Sequence, residues 1–149
     1  MSRVFLSLGS NIAPQTHVPR CLEILKSKFN VKKVSSIYET PPLGPAGNTL
    51  FWNLVVEIDS DLDKKTLVGE LRQIELGLGR KRSGKNKFEP RTMDIDILPQ
   101  PDYQKQAFVM APLAEIAPEA TDLETGKTFA ELAAKIKKDA LGFRKVSSA

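Results

Sequence analysis

The run from Arg3 to Leu8 alternates around Val4, Leu6 and Leu8, and the alternation stops at Gly9-Ser10-Asn11. That pattern predicts a strand entering a turn. Val18, Cys21, Leu22, Leu25 and Phe29 then recur three and four residues apart, as the buried stripe of a helix does. Val31 to Thr40 is rich in β-branched residues and ends at Pro41-Pro42, which cannot continue a central strand; Phe51 to Ile58 is a second such run. The proline- and glycine-rich stretch between them, 41–48, reads as an irregular loop.

Asp61 or Asp63 is placed to cap a helix whose stripe is Leu67, Leu71, Ile74 and Leu78, ending near Gly77 and Gly79. Met93, Ile95 and Ile97 alternate with Asp94 and Asp96, the pattern of a strand with two unlike faces. The resulting order, βαββαβ, predicts an α+β, ferredoxin-like sandwich, an antiparallel sheet with helices on one face. Downstream, Phe108-Val109-Met110 is a short apolar segment and Pro112 to Ile116 a helical turn. Thr128 and Glu131 have capping-box spacing before Leu132 and Ile136, and the lysine-rich tail reads as a helix and its end.

With 149 residues, 41% of them hydrophobic, the chain suits one domain over 1–149 that encloses a core and leaves a cleft. Nothing approaches the roughly 20 apolar residues of a membrane span, and the start, Met1-Ser2-Arg3-Val4, lacks a signal peptide's apolar stretch. A cytoplasmic monomer is expected, with no membrane partner. Cys21 and His17 are the only residues of their kinds, which excludes thiolate clusters and most zinc or iron chemistry. A metal here would be a hard ion held by oxygen. Cys21 falls on a helix's apolar face and His17 at its start, so both read as structural.

The charge is local. Residues 80–91 hold six basic side chains (Arg80, Lys81, Arg82, Lys85, Lys87, Arg91) against Glu89, a net +5, whereas the whole chain carries +4, so the remainder sums to −1. Such a patch suits a compact polyanion such as a nucleoside triphosphate better than a long nucleic-acid track, and no nucleic-acid partner is expected. Two and four residues after Thr92 stand Asp94 and Asp96. Carboxylates at i and i+2 of a strand share a face and can hold divalent ions, although alone they also suit an exposed strand face. Beside the cations they complete both halves of a phosphate site. Gly79 to Lys85 has P-loop spacing, but Asn86 stands where Ser or Thr should follow, and the segment follows a helix instead of opening one. Thr40 to Leu43 and Phe51-Trp52-Asn53 offer backbone amides, an aromatic face and a carboxamide for a flat heterocycle, or else simply a rigid turn beside a core strand.

Leu8-Gly9-Ser10-Asn11, the stretch from Ser36 to Pro45, Phe51-Trp52-Asn53, Ile74-Glu75, Gly79-Arg80 and Pro90-Arg91-Thr92-Met93-Asp94-Ile95-Asp96-Ile97 occur in this order. Together they resemble the hydroxymethyldihydropterin pyrophosphokinases, folate-pathway enzymes that move a diphosphate from ATP to a pterin alcohol. The resemblance implies that Asp94 and Asp96 hold two Mg2+ ions between ATP and the pterin hydroxyl. It implies that Thr40, Pro41, Leu43 and Asn53 meet the pterin edge, with Phe51 and Phe108 at its faces. Glu75 and Ile97 would lie near the nucleoside, and Arg82, Lys87 and Arg91 would face the phosphates, Arg82 and Arg91 acting with the two aspartates in catalysis. The basic loop would close over ATP.

The chain also departs from that pattern. Arg72 stands where many relatives have glutamine, and the stretch from Asp96 to Phe108 is short, with Pro99-Gln100 or Pro101-Asp102 in place of a Pro-His pair and Gln106 in place of an arginine. A pterin- or nucleotide-binding relative with weak or lost transfer activity and a basic RNA-binding module are the competing expectations.

Overall fold

A computed structural model describes residues 2–40, 51–79, 92–136 and 144–148. Strand β1 (Ser2–Ser10) is followed by helix α1 (Pro14–Lys28), strands β2 (Asn30–Val34), β3 (Ser36–Thr40) and β4 (Phe51–Ser60), and helix α2 (Lys64–Gly77). Strand β5 (Asp94–Ile97), helices α3 (Ala107–Ile116) and α4 (Phe129–Ala134), and strand β6 (Arg144–Ser148) complete the order. The sheet runs β5-β1-β4-β3-β6, with β2 also beside β4. All its recorded pairings are antiparallel. The strands expected from the βαββαβ pattern are therefore present in ferredoxin-like order.

The run from Val31 to Thr40 is two strands, not one. Val34 pairs with Val56 but Tyr38 pairs with Asn53, a slip of one residue, and Ser35 is the extra residue between them. Ser35 replaces the missing ladder with its own bonds: its N–H donates to Val55 O (3.0 Å) and its Oγ accepts from Val55 N (2.9 Å) and donates to Ser36 O (2.8 Å). Because a bulge reverses face parity, Val34 and Ile37 both reach the same core although they are an odd number of residues apart.

Helices α1 and α2 share one face, as expected. Their Val18, Cys21, Leu22, Leu25, Leu67, Leu71 and Ile74 pack on Leu6, Leu8, Leu54, Val56 and Ile58. Asp63 caps α2 by accepting from Thr66 N (2.7 Å). Burial raises the Cys21 thiol to about 12, which leaves it inert. His17 lies at the start of α1, its Nδ1 2.6 Å from Ile12 O.

The opposite face is covered too, which the expectation of helices on one face did not include. Val109, Met110, Leu113 and Ile116 of α3, with Phe129 and Leu132 of α4, pack on Phe5 and Val55. Phe108-Val109-Met110 and Pro112 to Ile116 are thus one helix. The Thr128–Glu131 capping box opens α4, whereas the tail beyond it returns as β6 against β3 instead of ending as a helix. No helix among the described residues is long and apolar enough to cross a membrane.

Candidate active site

Beyond the part of the sheet that α3 and α4 cover through Phe5 and Val55, the same face carries Phe51, Asn53, Asp94 and Asp96. Asp94 lies opposite Gly9 and Asp96 opposite Ser7 on β1. Gly9 lies opposite Asn53 on β4, and Asn53 opposite Tyr38 on β3. Tyr38, Asn53, Gly9 and Asp94 therefore form one row across four strands. The row sets Asn53 two strand spacings, about 10 Å, from Asp94. Gly9 leaves the floor between them bare: a Cβ there would stand 3.2 Å from Asn53 Oδ1. Phe51, two residues before Asn53, shares this face and is buried at the end of β4 opposite Thr40. Phe108, in the first turn of α3, packs against the cluster beneath that helix.

Asp94 and Asp96 repel one another. Burial above all, and then the charge and hydrogen bond of Asp94, raise the Asp96 carboxyl to about 7, against the pull of Arg72. A cation bound at the pair would offset that repulsion. No group of three or more His, Cys, Asp or Glu side chains suited to a metal occurs among the described residues. Two carboxylates with the remaining positions left to water and phosphate are the donor set magnesium commonly takes, so the residues fit that ion.

Among the described residues β5 pairs only with β1, so its far side is an edge there. Leu98 N donates to Phe5 O (2.9 Å), which fixes the alternation and turns the N–H and C=O of both Ile95 and Ile97 outward. Helix α2 meets the first of these pairs. Glu75 Oε2 accepts from Ile95 N (2.7 Å), while Arg72 Nη1 donates to Ile95 O (2.9 Å) and to Glu75 Oε2 (2.7 Å). Glu75 is thus buried, bracing the strand that carries the aspartates. Ile97 O accepts from the exposed Gln100 amide (2.8 Å).

Gly79, at φ +86°, and Thr92 lie side by side: a Cβ on Gly79 would be 4.0 Å from Thr92 Cγ2. The residues that flank the basic segment, Gly79 and Thr92, are therefore neighbours, and Thr92 is two residues from Asp94. Pro41, Leu43, Arg82, Lys87 and Arg91 lie outside the described residues, as does the side chain of Thr40. Sequence reasoning passed over Tyr38, whose hydroxyl donates to Glu115 Oε1 of α3 (2.7 Å), and Ser36, which donates to the same carboxylate through N (3.1 Å) and Oγ (2.7 Å). The parity of Tyr38 with Thr40 on one strand was the available signal.

Residues 5–118 match the family model described as 7,8-dihydro-6-hydroxymethylpterin-pyrophosphokinase (HPPK). The chain belongs to the HPPK family. Among curated HPPK relatives, the 2-amino-4-hydroxy-6-hydroxymethyldihydropteridine pyrophosphokinase of Bacillus subtilis is 38% identical over 142 residues, covering 81% of this chain and 84% of that protein. The protein of the same name from Pseudomonas aeruginosa is 34% identical over 151 residues, 90% of this chain and 91% of the relative. The bifunctional protein FolKE of Lactococcus lactis is 34% identical over 109 residues, 71% of this chain but 31% of the longer protein. The HPPK match runs from β1 through α3 and so contains the whole row from Tyr38 to Asp94, while α4 and β6 lie beyond it.

Proposed function

We propose that the chain transfers the terminal diphosphate of ATP to 6-hydroxymethyl-7,8-dihydropterin and releases AMP, at the face formed by Phe51, Asn53, Gly9, Asp94 and Asp96. Family membership makes it an ATP-dependent pyrophosphokinase of folate biosynthesis. The observation that carries the site is the row in which Asn53 and Asp94 face the same space across a bare Gly9. Asn53, with Thr40, Pro41 and Leu43, reads the polar edge of the pterin, and Phe51 and Phe108 supply apolar surface for its ring faces. The hydroxymethyl oxygen then points toward the carboxylate pair.

Asp94 and Asp96 would hold two magnesium ions, which supply positive charge to the phosphate oxygens and the attacking hydroxyl when bound. Arg82, Lys87 and Arg91 add charge from the segment tethered at Gly79 and Thr92. The pterin oxygen attacks the β-phosphorus in line, its new bond to phosphorus forming as the bond from the β-phosphorus to the AMP oxygen breaks. The hydroxyl proton leaves to solvent, and no covalent enzyme intermediate is required. Ile97 presents an outward N–H and C=O suited to the donor and acceptor edge of a purine, once Gln100 yields the carbonyl. Glu75 serves the nucleoside side indirectly, through Ile95. The protein acts as a single-domain, cytoplasmic monomer on small molecules. An RNA-binding role is disfavoured because α3 and α4 cover part of the sheet face such modules leave open, and β5 offers carboxylates instead of stacking aromatics.

The test is incubation with ATP, Mg2+ and the pterin alcohol. AMP and pterin diphosphate should appear in equal amounts and only with pterin present. Binding of both ligands without AMP would identify a binding relative, for which the short stretch after Asp96 is the motive. Retention of RNA with neither ligand bound would reject the enzyme altogether.

A further inference from the structure

The junction of α2 and β5 holds a fixed positive charge beside the carboxylate pair. Arg72 Nη1 is committed to Glu75 Oε2 (2.7 Å) and Ile95 O (2.9 Å), and these bonds pin the guanidinium at the sheet edge. Nη2 is left 3.7 Å from Asp96 Oδ1, within ion-pair range but too long for a good hydrogen bond. Arg72 cannot swing away cheaply, because Glu75, with 2% of its side chain exposed, would lose a 2.7 Å charge-assisted bond in a buried position. Asp96 retains 34% exposure, so a cation from solvent can reach it. Any such cation meets a like charge already in place.

We propose that Arg72 is a positioning residue that competes with free divalent metal at Asp96, so that metal enters the site already bound to nucleotide phosphate. The inference rests on reading Asp94 and Asp96 as metal ligands. A free divalent ion is repelled by the guanidinium, whereas a metal–triphosphate complex is net negative and is attracted to it. The same charge therefore disfavours one form and favours the other. It also shields Asp96 from Asp94 while no metal is bound.

Mn2+ alone, in the absence of nucleotide, is the probe, with free ion followed by electron paramagnetic resonance at mildly alkaline pH. Arg72→Gln removes the charge and keeps a donor, and should tighten Mn2+ binding by at least about threefold. Metal-free thermal stability of the same variant should fall. Arg72→Lys keeps the charge and should bind Mn2+ as the parent does; Arg72→Met, which keeps the aliphatic stem, replaces the glutamine variant if that fails to fold. A residue that merely braced β5 would lose metal affinity and stability together, so opposite signs are the signature. Unchanged or weaker Mn2+ binding in Arg72→Gln, with binding still lost in Asp96→Asn, overturns the role of Arg72 and leaves the metal site standing. Mn2+ binding indifferent to Asp96→Asn overturns both.

Discussion

Gly9 owes its place to what lies beside it. Its backbone is not in the left-handed region, so alanine meets no dihedral penalty there, and among the described residues its Cβ would meet Asn53 Oδ1 at 3.2 Å. Gly9→Ala should therefore displace the Asn53 carboxamide without unfolding the sheet. Overpacking of this kind costs about 1–3 kcal/mol, so the melting temperature should fall by a few degrees while the sheet stays folded, and the displaced carboxamide should raise pterin KM roughly tenfold. Equal KM values for the two proteins would remove Asn53 from the pterin site. Asp96→Ala should lower turnover by at least about a hundredfold while the fold persists, and near-normal turnover would sink the metal assignment. The shared face of Asp94 and Asp96 was legible in the sequence, because strand parity is local. The bond from Glu75 to Ile95 was not, because it depends on β5 lying at the edge of the sheet, a fact that only pairing over long separations decides.

At the scale of elements, the helices α1 and α2 could be read because each buries a single stripe. β2 and β3 could not be separated, since the β-branched run from Val31 to Thr40 looks continuous and the bulge is carried by one small serine. That serine is 1% exposed and its hydroxyl both accepts from Val55 N and donates to Ser36 O. Ser35→Ala should cost about 1–3 kcal/mol in chemical denaturation, because Val55 N–H is then left unsatisfied in the core. The damage should extend to the site. The bulge sets which way Tyr38 faces, and Tyr38 stands beside Asn53 and ties β3 to α3 through Glu115. A variant with parental stability would show that the register is held by Ile37 packing alone. The second helical layer did leave a trace: Phe51 to Ile58 is apolar at almost every position, as a strand covered on both faces must be. Reading only the alternation in β1 hid it, because Phe5, which faces α3 and α4, falls between Val4 and Leu6.

For the molecule as a whole, two carboxylates bend stability in opposite directions with pH. Asp122 is buried, which alone would raise its carboxyl. Hydrogen bonds from the Tyr103 hydroxyl (2.6 Å) and from Thr125 Oγ1 (2.7 Å) and N (2.9 Å) outweigh this and lower it to about 2. Its stabilisation is complete above the ordinary carboxylate range, near 4, and is lost as pH falls through about 2. Asp96 is displaced upward to about 7, so the folded state binds the proton more tightly than the unfolded chain does. Metal-free stability from this group is full below about 4 and declines as pH rises through about 7. The metal-free protein should therefore be most stable in mildly acidic solution. Magnesium removes the upper decline by adding positive charge at the ionised pair, so the rise in melting temperature that it produces should be small at pH about 5 and grow to a plateau above about 7. Thermal unfolding across this range, with and without Mg2+, measures both limbs. Asp96→Asn should flatten the upper limb and abolish the magnesium effect, whereas Asp122→Asn should lower stability at neutral pH and spare that effect. A magnesium shift of equal size at every pH would mean that the ion binds somewhere other than the Asp94–Asp96 pair.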